Sequence, residues 1–179
     1  MSLHYATIGY TAAPDPDVTL KVPVGGNYAL RLPRTEEIDP WDMHPHRLAD
    51  GTVIGPWPND PQTALIVPAV TGLAHIAVDA TWQGTWNDGV VRRAYVVGDN
   101  FPYELGYETD GPEMAWTTMT FVKAGDPFVI MFGHTAATPQ TLLSARVNIA
   151  INDDVADPPT NRLHVRRGTD PGQNPEPRQ

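Results

Sequence analysis

From Leu73 to Trp82 apolar and polar side chains alternate residue by residue. Ala74, Ile76, Val78, Ala80 and Trp82 fall on one side, and His75, Asp79 and Thr81 on the other. Wound into a helix, the apolar group would scatter around the cylinder. In an extended strand it makes one buried face and one polar face. Such a face needs a second layer to cover it, so the segment commits the chain to a sheet packed on another element.

No stretch offers that layer as a helix, because none combines a 3.6-residue apolar period with caps. Further strands do. Ala64 to Val67 is short and apolar, and Val90 to Val97 follows a turn at Asn87-Asp88-Gly89. Met114 to Val122 is rich in Thr, Trp, Phe and Val, which favour pleated structure. Phe128 to Phe132 is a continuous apolar run and predicts burial on both faces. Ala145, Val147, Ile149 and Ile151 alternate with Arg146, Asn148 and Ala150. Short strands with turn chemistry between them predict an all-β sandwich or barrel.

The flanks differ from this middle. In residues 1–33, Val18, Leu20 and Val22 alternate with Thr19 and Lys21, and Asn27 to Leu32 is placed to pair with them after Gly25-Gly26. Pro14, Pro16 and Pro23 confine both to edge positions, so residues 1–33 are expected to be an extended arm. Residues 34–62 carry five prolines, from Pro40 to Pro61, and read as irregular. Residues 154–179 are polar and Pro-rich, with too little apolar surface to offset the entropy of ordering, and are expected to form a flexible tail. The predicted domain is residues 34–153.

Composition removes several classes of function. The net charge of −9 argues against a nucleic-acid partner, because phosphate binding needs clustered Lys and Arg. There is no cysteine, so disulfides, zinc–thiolate sites and thiol catalysis are excluded. Met1 to Tyr10 has no basic and apolar signal pattern, and no run approaches the roughly 18 apolar residues of a membrane helix, so neither export by a leader nor membrane insertion is expected.

Candidate chemistry is sparse. His44-Pro45-His46 is the most metal-like feature, since residues two apart in an extended segment point the same way, and Asp42 or Asp39 could complete a set. The proline between them and the missing third ligand favour an exposed loop, so no metal and no cofactor are expected. His75 and Asp79 share the polar face of a strand, where a satisfied histidine at a sheet face or subunit interface outweighs an acid–base role. His134 is read as a loop residue. Asp15, Asp17, Asp153 and Asp154 lack the spacing of a calcium loop. Neither a nucleophile elbow nor a phosphate-binding glycine loop is present, so no enzyme is expected. Among the tryptophans, Trp82 and Trp116 read as core or subunit interface, with Phe128 and Phe132. Trp57 and Trp86, with Tyr103, lie in loops as possible sugar-stacking contacts, although packing as loop anchors is the more ordinary role of such rings.

Several fragments fall in a shared order: Thr35 to Met43 with Glu36, Asp39, Trp41 and Met43; Val67-Pro68 leading to Gly72-Leu73; Gly89 followed by Arg92 and Arg93; and Phe121 to Lys123 running into Ala124-Gly125-Asp126. Over residues 34–153 this order resembles the TNF-like jelly roll, the fold of the globular head of complement's recognition subcomponent. The Asp39 to Met43 stretch is most similar to the versions found in bacteriophage structural proteins. The chain departs from the pattern at Ala74, where the family often carries an aromatic, and by one extra residue between Pro68 and Gly72. The resemblance implies a jelly-roll sandwich of two antiparallel sheets that closes as a homotrimer. It further implies a virion component of tail tip, fibre or capsid surface, assembled in the host cytoplasm with other virion proteins. A carbohydrate- or receptor-binding module, taking a host surface glycan, is the alternative of a different class. A cupin-like metalloenzyme built on His44 and His46 is the third.

Overall fold

The computed structural model describes residues 3–11, 20–25, 27–34, 36–98 and 106–154. These form ten strands and one short 3-10 turn, Pro61–Ala64, with no α-helix among the described residues. The strands are β1 (Leu3–Thr11), β2 (Leu20–Val22), β3 (Tyr28–Ala29), β4 (Glu36–Ile38), β5 (Gly72–Trp82), β6 (Arg92–Gly98), β7 (Gly106–Thr109), β8 (Glu113–Val122), β9 (Phe128–His134) and β10 (Gln140–Asn152). One sheet runs β4-β1-β10-β5-β8, with β2 also paired to β10; the other runs β3-β9-β6-β7. Every pairing is antiparallel. The two sheets pack face to face as a sandwich, one of the two architectures the strand pattern predicts and the jelly-roll form the resemblance implies.

The core lies between the sheets. The alternation over residues 73–82 holds in full, with Ala74, Ile76, Val78, Ala80 and Trp82 all buried and His75 and Asp79 exposed. From β10 come Leu142, Ala145, Val147, Ile149 and Ile151. The facing sheet supplies Phe128, Ile130 and Phe132 from β9 and Ala94 and Val96 from β6. Burying each large side chain of this kind contributes about 1.5–3 kcal/mol. The two inner faces meet at Trp82 and Phe132, whose ring centroids lie 5.4 Å apart.

Three local features reconcile sequence and pairing. In β10 the register shifts between Leu142 and Ser144, so Leu143 is an extra residue. This bulge lets Leu142 and Ala145 both face the core although they are three positions apart. Gly72 opens β5 against the end of β10, where an added Cβ would meet the Asn152 carbonyl oxygen at 2.2 Å. Gly125 makes the tight turn before β9 with φ of 81°.

The structure corrects several expectations. Residue 33 is no domain boundary: β1 pairs with β10 along its whole length and sends Ala6, Ile8 and Tyr10 into the core. The Tyr10 hydroxyl also accepts a hydrogen bond from the Leu20 N–H at 3.1 Å, tying β1 to β2. The hairpin expected across Gly25-Gly26 does not form, because β2 joins β10 in one sheet and β3 joins β9 in the other. Ala64 to Val67 is not a strand; it follows the 3-10 turn and touches the sheet through a single bridge from Ile66 to Phe128. The irregular segment contains β4, which extends the larger sheet beyond β1. In the run Phe128 to Phe132, Val129 and Met131 are only half-buried, so β9 has one core face rather than two. Phe128, Phe132 and Trp82 are enclosed within the one chain and cannot serve as subunit contacts. His134 ends β9, buried, with its Nε2 3.0 Å from the Val22 carbonyl, which links the two sheets. Of the tail, only Asp154 lies within the described residues.

Because Ile8 is a core residue of a central strand, Ile8→Ala should lower the unfolding free energy by about 2–5 kcal/mol. Urea denaturation measures this; a stability unchanged from the parent chain would place β1 outside the core.

Candidate functional site

The loop between β5 and β6 is built around a buried cation. Arg92, the first residue of β6, faces into the sandwich and is fully buried. Its guanidinium holds Asp88 with both forks, Nη2 to Oδ2 at 2.6 Å and Nη1 to Oδ1 at 3.3 Å. Nη1 also reaches the carbonyls of Val90 and Gly111, each at 3.3 Å. One side chain therefore ties the 83–91 loop to the turn before β8. The Asp88 carboxylate accepts the Val90 N–H as well, at 2.9 Å. Asn87 and Gly89, with φ of 61° and 78°, make the turn that returns the chain to the sheet. The hydrogen bonds from Arg92 first, and the backbone N–H of Val90 second, hold the Asp88 carboxyl below its ordinary value of 3.8.

Trp86 sits at the tip of this loop and is 58% exposed. One face of the indole's six-membered ring lies on Gly111, where an added Cβ would meet the ring at 2.2 Å. The ring is thus positioned by backbone on one side and open on the other. It overlooks a groove of about 700 Å³ on the outer face of the larger sheet. Asp79 and Thr81 of β5, Glu113 of β8 and Arg146 of β10 line the floor, and Tyr107 of β7 lines it with Trp86. The register accounts for the set: Arg146 pairs with Asp79, and Thr81 with Glu113. Cross-strand neighbours lie roughly 5 Å apart at Cβ, so these polar groups converge on one patch.

The other predicted site residues separate. His44 is buried: its Nδ1 is 2.9 Å from Glu37 Oε2, its Nε2 is 2.9 Å from the Thr63 carbonyl, and its N–H donates to Asp39 Oδ2 at 2.6 Å. His46 lies exposed with Nδ1 3.2 Å from Asp42 Oδ1. The two imidazoles do not share a side: His44 points into the fold and His46 into solvent. Both ring nitrogens of His44 already have protein partners, which leaves the pair without a common site. Among the described residues no group of three or more His, Asp or Glu side chains could hold a metal ion.

Trp57 is a packing anchor rather than an open platform. It packs half-buried against the core, with its ring 5.5 Å from Tyr10 and its Nε1–H donating to the Arg31 carbonyl at 2.9 Å. Asp60 shapes this loop by accepting the N–H groups of Gly55 and Gln62, which hold its carboxyl below the ordinary value. Trp116 faces inward from β8 and packs half-buried on the core. Tyr103 lies outside the described residues. Asp79, Glu113, Arg146 and Tyr107 were not singled out as a set, because only strand register brings them together. Their one signal in the sequence is that each falls on the outward-facing position of its strand.

No protein-family model matches the chain, and no curated protein matches it in sequence. Among solved structures, the TNF protein Eiger from S. frugiperda superposes with a TM-score of 0.52 at 13% identity, covering 91% of this chain and 100% of that one. The globular domain of zebrafish complement 1qA gives a TM-score of 0.42 at 9% identity, covering 82% and 94%. The fold is a TNF-like jelly roll.

The Asp88–Arg92 pair gives the loop a defined response to acid. The fold favours the charged carboxylate, so its contribution is fully present above the unfolded-chain value and is lost as pH falls through the lower folded value. Tryptophan emission followed from neutral to strongly acidic pH should change as the Trp86 loop loosens. Asp88→Asn should remove this component while leaving core strands folded, as far-UV circular dichroism would show.

Proposed function

We propose that the chain is a structural component of a bacteriophage virion that assembles as a homotrimer, at a tail tip or fibre or as a decoration of the capsid. The observation that carries this reading is the outer face of the larger sheet. Tyr5, Ala150, His75 and Met119 form one register row across β1, β10, β5 and β8, and Leu3, Asn152, Leu73 and Phe121 form the next. Leu3, Tyr5 and Met119 are 58%, 45% and 64% exposed. Exposed apolar side chains gathered on one sheet face in this way, with only His75 and Asn152 polar among the eight positions, support an association surface. The resemblance to the TNF-like jelly roll supports three-fold closure, in which each copy presents one patch to a different patch of its neighbour and the ring completes at three. The similarity of Asp39 to Met43 to phage structural proteins supports the virion setting. In this reading the protein has no catalytic step and binds other virion proteins, with no nucleic acid and no membrane insertion.

Sedimentation equilibrium at micromolar concentration should give about three times the 19.6 kDa of one chain. Tyr5→Asp with Met119→Glu should yield a folded monomer, since both side chains stand outside the core. A stable monomer of the parent chain overturns the trimer. The virion setting is tested separately, by mass spectrometry of purified particles, which should contain this chain. Truncation after Asp153 should leave a folded trimer with weakened incorporation into particles.

A further inference from the structure

The groove under Trp86 lies on the same sheet face as the apolar rows but has the opposite chemistry. We propose that it binds a neutral saccharide, with the Trp86 indole as the stacking platform and the strand-borne polar groups as the hydroxyl-reading floor. The inference rests on the sandwich alone and stands whether or not the chain belongs to a virion.

Three features point to this ligand class. The first is the indole itself. The ring is 58% exposed, yet its loop is held by the buried Arg92 and one of its faces is seated on Gly111, which leaves the opposite face to a ligand. A ring already fixed in place loses little conformational entropy when a flat apolar face docks on it. The C–H face of a pyranose is such a surface, and Tyr107 lines the same groove. The second is the floor. Asp79 and Glu113 are hydrogen-bond acceptors, Arg146 is a donor and Thr81 is both, and charge-assisted bonds of this kind are strong readers of vicinal hydroxyls. The third is charge. Two carboxylates against one guanidinium leave the groove net negative on a chain of net charge −9. Phosphates, uronates and sialic acids are therefore repelled, and a hydroxyl-rich uncharged ligand is favoured. The volume of about 700 Å³ falls within the usual range of small-ligand clefts, about 300–1,000 Å³.

The test uses the full-length chain, with intrinsic tryptophan fluorescence and saturation-transfer NMR as readouts. Maltohexaose, chitotetraose and mannotetraose are the neutral probes, and sialyllactose and trigalacturonate the acidic ones. An array of neutral polymeric cell-surface glycans separates a surface-bound source from a free sugar. At least one neutral probe should bind saturably, with the acidic probes far weaker. Trp86→Ala should weaken binding by about tenfold or more, the scale of losing an aromatic anchor. Glu113→Gln, on an exposed side chain, should weaken it while leaving the fold intact, and it decides the matter if the Trp86 variant fails to fold. Saturation by no neutral probe, equal or tighter binding of an acidic probe, or unchanged binding in the folded variants overturns the proposal. Sedimentation of the same samples keeps the two readings apart: sugar binding by a monomer would defeat the trimer and leave the groove, and a trimer without sugar binding would do the reverse.

Discussion

The backbone of β10 is paired on both edges from Leu142 to Asn152, with β5 on one side and β1 and β2 in succession on the other. Every other strand of the larger sheet reaches the fold through this one or through a strand it pairs. Its inward side chains, Leu142, Ala145, Val147, Ile149 and Ile151, form the middle of the inner face. The bulge at Leu143 keeps that face continuous past a break in the sequence period. A one-residue slip anywhere along β10 would send five apolar side chains outward and Arg146 and Asn148 inward. Register here is set by the cost of that exchange, and the outer-face rows, the groove included, inherit it.

A second dependence runs through Arg92. A guanidinium inside a sandwich is stabilising only with its acceptors in place, because removing a charge from water costs several kcal/mol before pairing offsets it. Here the acceptors are Asp88 and two backbone carbonyls, and they come from the two loops that frame the groove. The requirement to satisfy a buried charge therefore also fixes the loop that carries Trp86. That is how an exposed ring can be held in place and still be open.

Period-two alternation made β5 and the end of β10 legible in the sequence, since the inward face of each is wholly apolar and the outward face carries most of its polar residues. It failed for β1. Ala6, Ile8 and Tyr10 do alternate inward, but Gly9 and the small Thr7 dilute the signal, and nearby prolines made the segment read as an arm. It failed differently for the run Phe128 to Phe132, where Val129 and Met131 face outward as apolar residues and hide the alternation. The metal reading of His44 and His46 places both on one side of an extended segment, whereas one is buried with both ring nitrogens partnered and the other is exposed. Trp86 was legible as a loop aromatic; its polar companions were not. Asp79, Glu113 and Arg146 come from three strands far apart in the chain, and which of them are neighbours depends on register, which no local pattern encodes.

Register also explains why one sheet face can carry an apolar half and a polar half without one spoiling the other. Between the Tyr5–Met119 row and the Arg146–Asp79 row lies a row of small side chains, Thr7, Asn148, Ala77 and Thr117. Thr7 and Asn148 satisfy each other there, with oxygens 3.0 Å apart. A neighbouring copy can spread over the apolar rows and approach this small row closely, gaining area with each residue covered. At the next row it would have to cover Asp79 and Arg146, which have no ion-pair partner among the described residues, and the desolvation of both would cost more than the added contact returns. An interface advancing across the sheet would thus stop where the charges begin. What it leaves uncovered is the groove, already bounded on its far side by Trp86 and Tyr107.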